Sequence, residues 1–304
     1  MNQLTKKSLY RKPMFSSKED VFLDTIIIVL CVFIGCICLY PFIYTISVSF
    51  SDSVAVTKGQ VWLLPKGINL NSYKMLLKHP NLVNSYANTI FYTAAGTLWS
   101  MIMTTMAAFA LSKRYLIGKT FFSYYIVFTM IFSGGLIPTF LVVTKLGLYN
   151  SRAAIILVGA MSAWNLIIMR TFMQSIPVSL KESARIDGAN DWTIFLKIYL
   201  PLSKPAISIV TLFYAVAIWN DFFSSLIYLY DESKFPVQLI IRSLVVTMND
   251  AMGSSIASSS SAGQFAPLSF KSAVVVVTMF PIMVIYPFIQ KYFAKGIMVG
   301  AVKG

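Results

Sequence analysis

The chain has 304 residues, of which 57% are hydrophobic, 14% aromatic and only 12% charged, and its mean hydropathy is +0.72. A water-soluble domain of this length does not carry so little charge over so much apolar surface, so the composition describes an all-α integral membrane protein. A net charge of +14 would suggest nucleic acid as the partner of a soluble chain; here the cations fall between apolar runs, where a positive-inside bias and attraction to membrane lipid account for them without nucleic acid.

Residues 1–20 are basic and polar and read as a cytoplasmic segment preceding one membrane domain, 21–304. Six apolar stretches follow, near 25–49, 86–111, 121–144, 153–173, 205–230 and 272–290. Each can cross a hydrocarbon core of about 30 Å, which takes roughly 20 helical residues. The first is too long, and lacks the small-residue cleavage site, for a removable signal peptide. It holds all three cysteines, Cys31, Cys36 and Cys38, at intrahelical spacings that disfavour bridging, so they read as small hydrophobes. Placing both termini inside puts 1–20, 112–120, 170–205 and the tail 291–304 in the cytoplasm, and these segments hold most of the 25 lysines and arginines. The expected topology is therefore six transmembrane helices, N-in and C-in, in a multi-pass membrane protein.

Between the first two spans, Ser51–Ser85 carries Trp62, Pro65, Gly67, Asn69, Asn71 and Ser72 and reads as packing over the mouth of the bundle. Its His79, the single histidine, sits beside Pro80 and reads as solvated; without a Cys/His cluster no metal site is expected. In the third span, Ser133-Gly134-Gly135-Leu136-Ile137-Pro138 is explained by tight helix packing or by a cavity-lining kink, with packing preferred. In the last outer segment, Pro236–Val246 has the pattern of a helix lying at the membrane surface and Ser254–Ser261 that of a linker. The final span is punctuated by Pro281 and Pro287 and leads into a basic tail.

Charge is nearly absent from the spans, and Asp221, in Trp219-Asn220-Asp221-Phe222, is the exception. A carboxylate at a helix centre costs about 2.5–3.5 kcal/mol on the lenient insertion scale, so it must face protein or water. Trp219, Asn220 and Asp221 form a candidate lining for a polar pathway, and Trp164-Asn165 poses the same question more weakly. An interhelical hydrogen bond holding the bundle together accounts for Asp221 equally well.

One polar interruption, Ile176–Pro205, stands out. Pro177 suits a first helical turn, Val178 to Ile186 continue it, and Gly188 offers the left-handed backbone that ends a helix. Asn190 and Asp191 can cap a second helix, Trp192 to Leu200, closed by Pro201 and Pro205. The product is a helix–turn–helix bracket between two apolar spans, too charged for lipid at Lys181, Glu182, Arg185 and Asp187. Docking onto a partner in the water phase is one reading; an ordinary solvated loop is the other.

No G-x-x-x-x-G-K-[ST] is present, and neither a run of intramembrane carboxylates nor a TVGYG-like filter supplies ion coupling. If the chain moves a solute uphill, the energy comes from a partner.

The bracket also carries a resemblance. Glu182-Ser183-Ala184, three residues, Gly188, nine residues, then Ile198-Tyr199-Leu200-Pro201 resembles the E-A-A-x3-G-x9-I-x-L-P signature of permease subunits in binding-protein-dependent ABC importers, with Ser183 in place of alanine. I-P-V-S-L-K-E-S-A-R-I-D-G-A-N-D, S-G-G-L-I-P-T-F, W-N-D-F and the tail Y-P-F-I-Q-K-Y-F-A-K-G-I-M-V-G-A-V-K-G are similar to the carbohydrate branch, in its six-span form. The resemblance implies a coupling helix between spans four and five, in the loop 176–205, contacting the ATPase through Glu182, Ser183, Ala184, Asp187, Gly188, Ile198, Leu200 and Pro201. It implies a non-catalytic permease in a bacterial-type cell membrane, paired with a second homologous permease, two cytoplasmic ATPase subunits that bind ATP and Mg, and an extracellular sugar-binding protein or lipoprotein. The cargo implied is a carbohydrate, an oligosaccharide by the tail. An importer of a non-sugar solute and an ATPase-independent carrier or channel are the alternatives.

Overall fold

The computed structural model describes residues 18–78, 80–253 and 268–284. The basic segment before residue 18, His79, the Ser254–Ser261 linker, Pro287 and the 291–304 tail lie outside the described residues. Every regular element described is helical: α1 (Lys18–Phe50), α2 (Leu82–Ser112), α3 (Lys119–Ile131), α4 (Leu136–Lys145), α5 (Arg152–Leu157), α6 (Ala163–Gln174), α7 (Val178–Ile186), α8 (Asp191–Leu202), α9 (Lys204–Trp219), α10 (Phe223–Tyr228), α11 (Val237–Gly253) and α12 (Leu268–Val284). Apolar sequence favours this outcome because a helix satisfies its own backbone polar groups where no water is available to do so.

The apolar stretches are not six straight helices. Among the described residues, α1 and α2 alone are single helices long and apolar enough to cross a membrane; α3 with α4, and α8 with α9, qualify as bent pairs, at 113° and 81°. The expected packing role of the third-span glycines is corrected here. Gly134 has open space where a Cβ would stand, and the atom nearest a Cβ on Gly135 is its own neighbour Pro138 Cδ at 4.0 Å. Gly135 adopts φ 87°, ψ 172° and caps α4, a conformation that side chains disfavour, so the glycines break the helix. Pro138 is tolerated in the first turn of α4, where the N–H it lacks has no intrahelical acceptor.

The other interruptions have local causes as well. The fourth stretch breaks between α5 and α6 at Val158–Ser162, with Gly159 at φ 74°. The fifth breaks at Asn220–Phe222, so Asp221 lies in a turn between α9 and α10 rather than at a helix centre. In the bracket, α8 runs on through Pro201 to Leu202 instead of closing at Leu200. Phe195–Tyr199 is a π turn in which Leu200 N–H reaches back to Phe195 O; the widening precedes the point where an α-helical register would set the Pro201 ring against the Lys197 carbonyl.

At the centre stands α2, packed against α9, α6, α5 and α11. Its buried residues are mostly small or hydroxylated, among them Gly96, Thr97, Ser100, Thr104, Thr105 and Ala108. The α9 approach is close: a Cβ on Gly96 would stand 2.9 Å from Ile218 Cδ1. Thr104 Oγ1 and the Tyr214 hydroxyl share a 2.7 Å hydrogen bond across the same interface. Around α2, Val237 of α11 packs with Leu76, Leu82, Phe270 and Val274, so the apolar face expected to lie on a membrane surface is turned onto protein. Between α1 and His79 the chain forms two short helices, Ser53–Thr57 and Asn71–Leu77, and a Ser51–Ile68 bridge ties this segment to the end of α1. Before its last turn, where Ser47, Val48 and Ser49 are buried, α1 is largely exposed, including the free cysteines Cys31, Cys36 and Cys38.

Candidate functional site

The bracket hangs from one end of α2. Pro177 stands just before α7, and Gly188 ends the turn after it at φ +81°, the left-handed conformation that glycine enters most cheaply. Gly188 N–H donates to Arg185 O and Ala189 N–H to Ala184 O, closing the helix end. Asn190 then caps α8 with its side-chain oxygen, which accepts from Thr193 N–H at 2.8 Å. Asp191 is the first residue of α8 and does not make the cap.

The two halves of the bracket are held differently. α8 is rooted in the core: Ile194, Phe195 and Tyr199 are buried, and the Phe109 ring of α2 lies 5.1 Å from that of Phe195 and 4.9 Å from that of Tyr199. Ile198 and Leu200 pack at the edge of this cluster, and Pro201 is exposed. By contrast α7 buries no residue; only Ala184 packs against the core, while Glu182, Ser183, Asp187 and Gly188 are exposed. Val178 and Ile186 are apolar yet open, Ile186 at 88% exposure. α7 therefore presents a charged helix with an uncovered apolar residue at each end.

Electrostatics joins the halves. Asp191 Oδ2 accepts from Lys113 Nζ at 2.8 Å and Oδ1 from Arg185 Nη2 at 3.2 Å. Lys113 follows the last residue of α2 and also lies 5.0 Å from the Phe109 ring centroid. The hydrogen bond from Lys113, aided by Arg185, holds the Asp191 carboxyl below its ordinary value. Partial burial, then the charges of Arg185 and Lys113, pushes the Lys181 amine down. Sequence reasoning treated Asp191 as a cap and passed over Lys113; no local pattern marks a partner so far away along the chain.

A second feature lies deeper. A cavity of about 400 Å³ is lined by Ser100 of α2, Ser162 and Asn165 of α6, Tyr214 of α9, Asp221, and Ser224 of α10 among others. The helix breaks create it, since interruptions free polar groups that an unbroken helix would consume. Tyr214 OH accepts from Ser162 N–H at 3.0 Å, and Asp221 Oδ1 from Ser224 N–H at 3.0 Å. Of the candidate pathway residues, Asn165 and Asp221 meet in this lining. Trp164 is exposed, Trp219 is buried with its indole N–H unpartnered, and Asn220 donates to Val216 O at 2.9 Å. Among the described residues, no group of three or more His, Cys, Asp or Glu could hold a metal ion.

Comparison with known proteins adds the following. A family model described as "Binding-protein-dependent transport system inner membrane component" matches residues 96–299. The polygalacturonan/rhamnogalacturonan transport system permease protein YtcP of Bacillus subtilis (strain 168) is 44% identical over 269 residues, covering 88% of this chain and 93% of that one. Among solved structures, a bacterial ABC transporter involved in the import of the acidic polysaccharide alginate includes a chain 37% identical, with a TM-score of 0.81 over 92% of this chain and 99% of that chain. A chain of a bacterial alginate ABC transporter in complex with an alginate pentasaccharide-bound periplasmic protein shares the fold at 16% identity, with a TM-score of 0.55 over 90% of this chain and 93% of that chain.

Proposed function

The chain belongs to the family of binding-protein-dependent transport system inner membrane components, and from that premise we propose that it is the membrane-spanning subunit of an ATP-driven importer of carbohydrate, an oligosaccharide cut from a larger polysaccharide. It crosses the membrane six times with both termini in the cytoplasm, beside a second, related permease. Two ATPase subunits bind ATP and Mg and do the hydrolysis; a sugar-binding protein or lipoprotein delivers the cargo from outside.

The observation that carries this reading is α7, a short charged helix that buries nothing yet is flanked by a half rooted in the core. Seated on an ATPase subunit through Glu182, Ser183, Ala184, Asp187 and Gly188, it turns ATPase closure into displacement of α8. Through Ile198, Leu200 and Pro201 that displacement reaches the bend at Ser203 and so α9, one wall of the cavity holding Asn165 and Asp221. Trp164, Trp219 and Asn220, the other candidates for the pathway, stand outside this lining. The printed names of the relatives, permeases and importers of polygalacturonan, rhamnogalacturonan and alginate, support the class of cargo.

Two measurements test it. The tagged chain, purified in mild detergent, is expected to bring with it a second permease, an ATPase and a sugar-binding protein; solute transport by the chain reconstituted alone would sink the importer reading. Single cysteines at Ser183 and Lys66, in a background without Cys31, Cys36 and Cys38, are expected to react with an impermeant reagent from opposite sides. Labelling from one side rejects the topology.

A further inference from the structure

Asp191 is an anion shared by two cations that belong to different parts of the molecule, Arg185 on α7 and Lys113 at the end of α2. Asn190 supplies the cap of α8, and the core contacts of that helix are made by Ile194, Phe195 and Tyr199. Around it Lys113, Lys181 and Arg185 stand close enough for their charges to act on one another, with Glu182 as the other nearby anion. Without Asp191 these cations would push α7 away from α2. The pair itself, Lys113 and Asp191, helps line a hollow of about 240 Å³ between α2 and α8, with Met106, Phe109, Trp192 and Phe195.

We propose that Asp191 is a positioning residue that ties α7 to the inner end of α2, so that α7 and α2 move as one body when the ATPases close. The proposal rests on the coupling role given to α7 above and adds a second route from it. The first runs through α8 to α9. The second passes through the Arg185–Asp191–Lys113 bridge directly into α2, whose Ser100 lines the cavity opposite Asp221. Exposed ion pairs are individually weak, so the bridge biases the transmission of movement without holding the fold together.

The test uses the assembled complex in proteoliposomes, with polygalacturonan and rhamnogalacturonan fragments as cargo. Asp191→Asn and Lys113→Gln are each expected to assemble normally and to lower the sugar taken up per ATP hydrolysed by roughly three- to five-fold. The double variant is expected to be no worse than either single one, and Asp191→Glu to restore most of the ratio. Additive losses, or an Asp191→Asn ratio equal to wild type, overturn the proposal. A cargo-independent arm places spin labels at Ser179 and Arg114. One narrow distance, unchanged by ATP, is expected in the wild type, and a broadened or ATP-dependent one in Asp191→Asn; identical distributions in the two also overturn it. If the wild-type complex shows no ATP-dependent uptake or ATP-driven movement at all, the coupling reading itself fails. If the wild type couples and Asp191→Asn matches it, only the bridge falls.

Discussion

Two attachments on the same helix, α2, contrast. Near its start the segment after α10 is strapped down by neutral hydrogen bonds between its backbone groups and side chains of α2, partly or fully buried except at Asn84. Asn84 Nδ2 donates to Ser233 O at 2.6 Å, Asn88 Nδ2 to Ser233 O at 2.8 Å and to Phe235 O at 3.2 Å, Tyr92 OH to Lys234 O at 2.8 Å, and Val237 N–H to Thr89 Oγ1 at 2.8 Å. Asn88 is 3% exposed and also accepts from Arg152 Nη2 at 3.2 Å. Roughly 37 Å further along the helix from Asn88, the bracket is held through Lys113 and Asp191, whose side chains are 25% and 46% exposed. A buried carbonyl deprived of its donor loses about 1–3 kcal/mol, whereas an exposed ion pair is worth about 0–1 kcal/mol. The first attachment is therefore the fixed one, and the second, though it joins α7 to α2, is the one that a small change can loosen.

The largest effect is expected at the fixed end. Asn88→Ala leaves Phe235 O without its donor, takes one of two donors from Ser233 O and an acceptor from Arg152, a loss of about 1–3 kcal/mol, read as a lower thermal midpoint and a lower yield of purified complex. An unchanged midpoint would mean that the strap is not the fixed attachment.

At the adjustable end the strongest lesion is Gly188→Val. No atom lies within 4 Å of a Cβ there, so the cost is strain at φ +81°, about 1–3 kcal/mol, and not a clash. The chain is expected to insert normally and ATP-driven uptake to fall by about tenfold, the equivalent of about 1.4 kcal/mol. Gly188→Asn, which tolerates left-handed backbone better, is expected to keep most of the activity. Full uptake by the valine variant would remove the mechanical role of the turn.

Between the ends, Asp221→Asn isolates charge from structure. Asparagine retains the oxygen that accepts from Ser224 N–H, so the helix break and the assembly should persist while uptake changes by a few-fold. A collapsed complex would assign Asp221 to holding the bundle, and unchanged uptake would release it from the cavity's function.

The smallest effect concerns acid and salt. Asp191 is held below its ordinary value of 3.8, so its contribution is complete above that value and is lost as pH falls through the lower folded-state value. Given its exposure and screening, that contribution stays under about 1 kcal/mol. The midpoints of wild type and Asp191→Asn should differ slightly at neutral pH and converge in about 1 M salt, where the screening length is about 3 Å. A difference that survives such salt would indicate a buried interaction instead.

Composition and apolar periodicity were sufficient for the helical membrane class. The signature from Glu182 to Pro201 was sufficient to point to the family, because spacing within one loop is a local property that needs no fold to be read. Gly188 was legible for the same reason, since only its own backbone angles are involved. The limits of the spans were less legible. A hydropathy run cannot distinguish an unbroken helix from two helices meeting at 113°, because both bury the same residues in lipid. Asp221 appeared to be a charge at a helix centre; in the fold its carboxylate meets a free N–H at a turn, and the break removes much of the cost that made it conspicuous.

By itself, the sequence determined that the chain is helical, that it lives in lipid, and that one polar loop breaks the pattern with a recognisable spacing. These follow from hydrophobicity and backbone geometry, which act residue by residue or over a few turns. Tertiary structure alone decided that Asn165 and Asp221 share a cavity, that Asn88 anchors the strap, and that Asp191 reaches Lys113 across a separation of 78 residues. Such contacts depend on where α2 ends relative to α8, and that is set by the packing of Phe109 against Phe195 and Tyr199. Packing is a property of surfaces brought together from distant parts of the chain, and no local pattern encodes it.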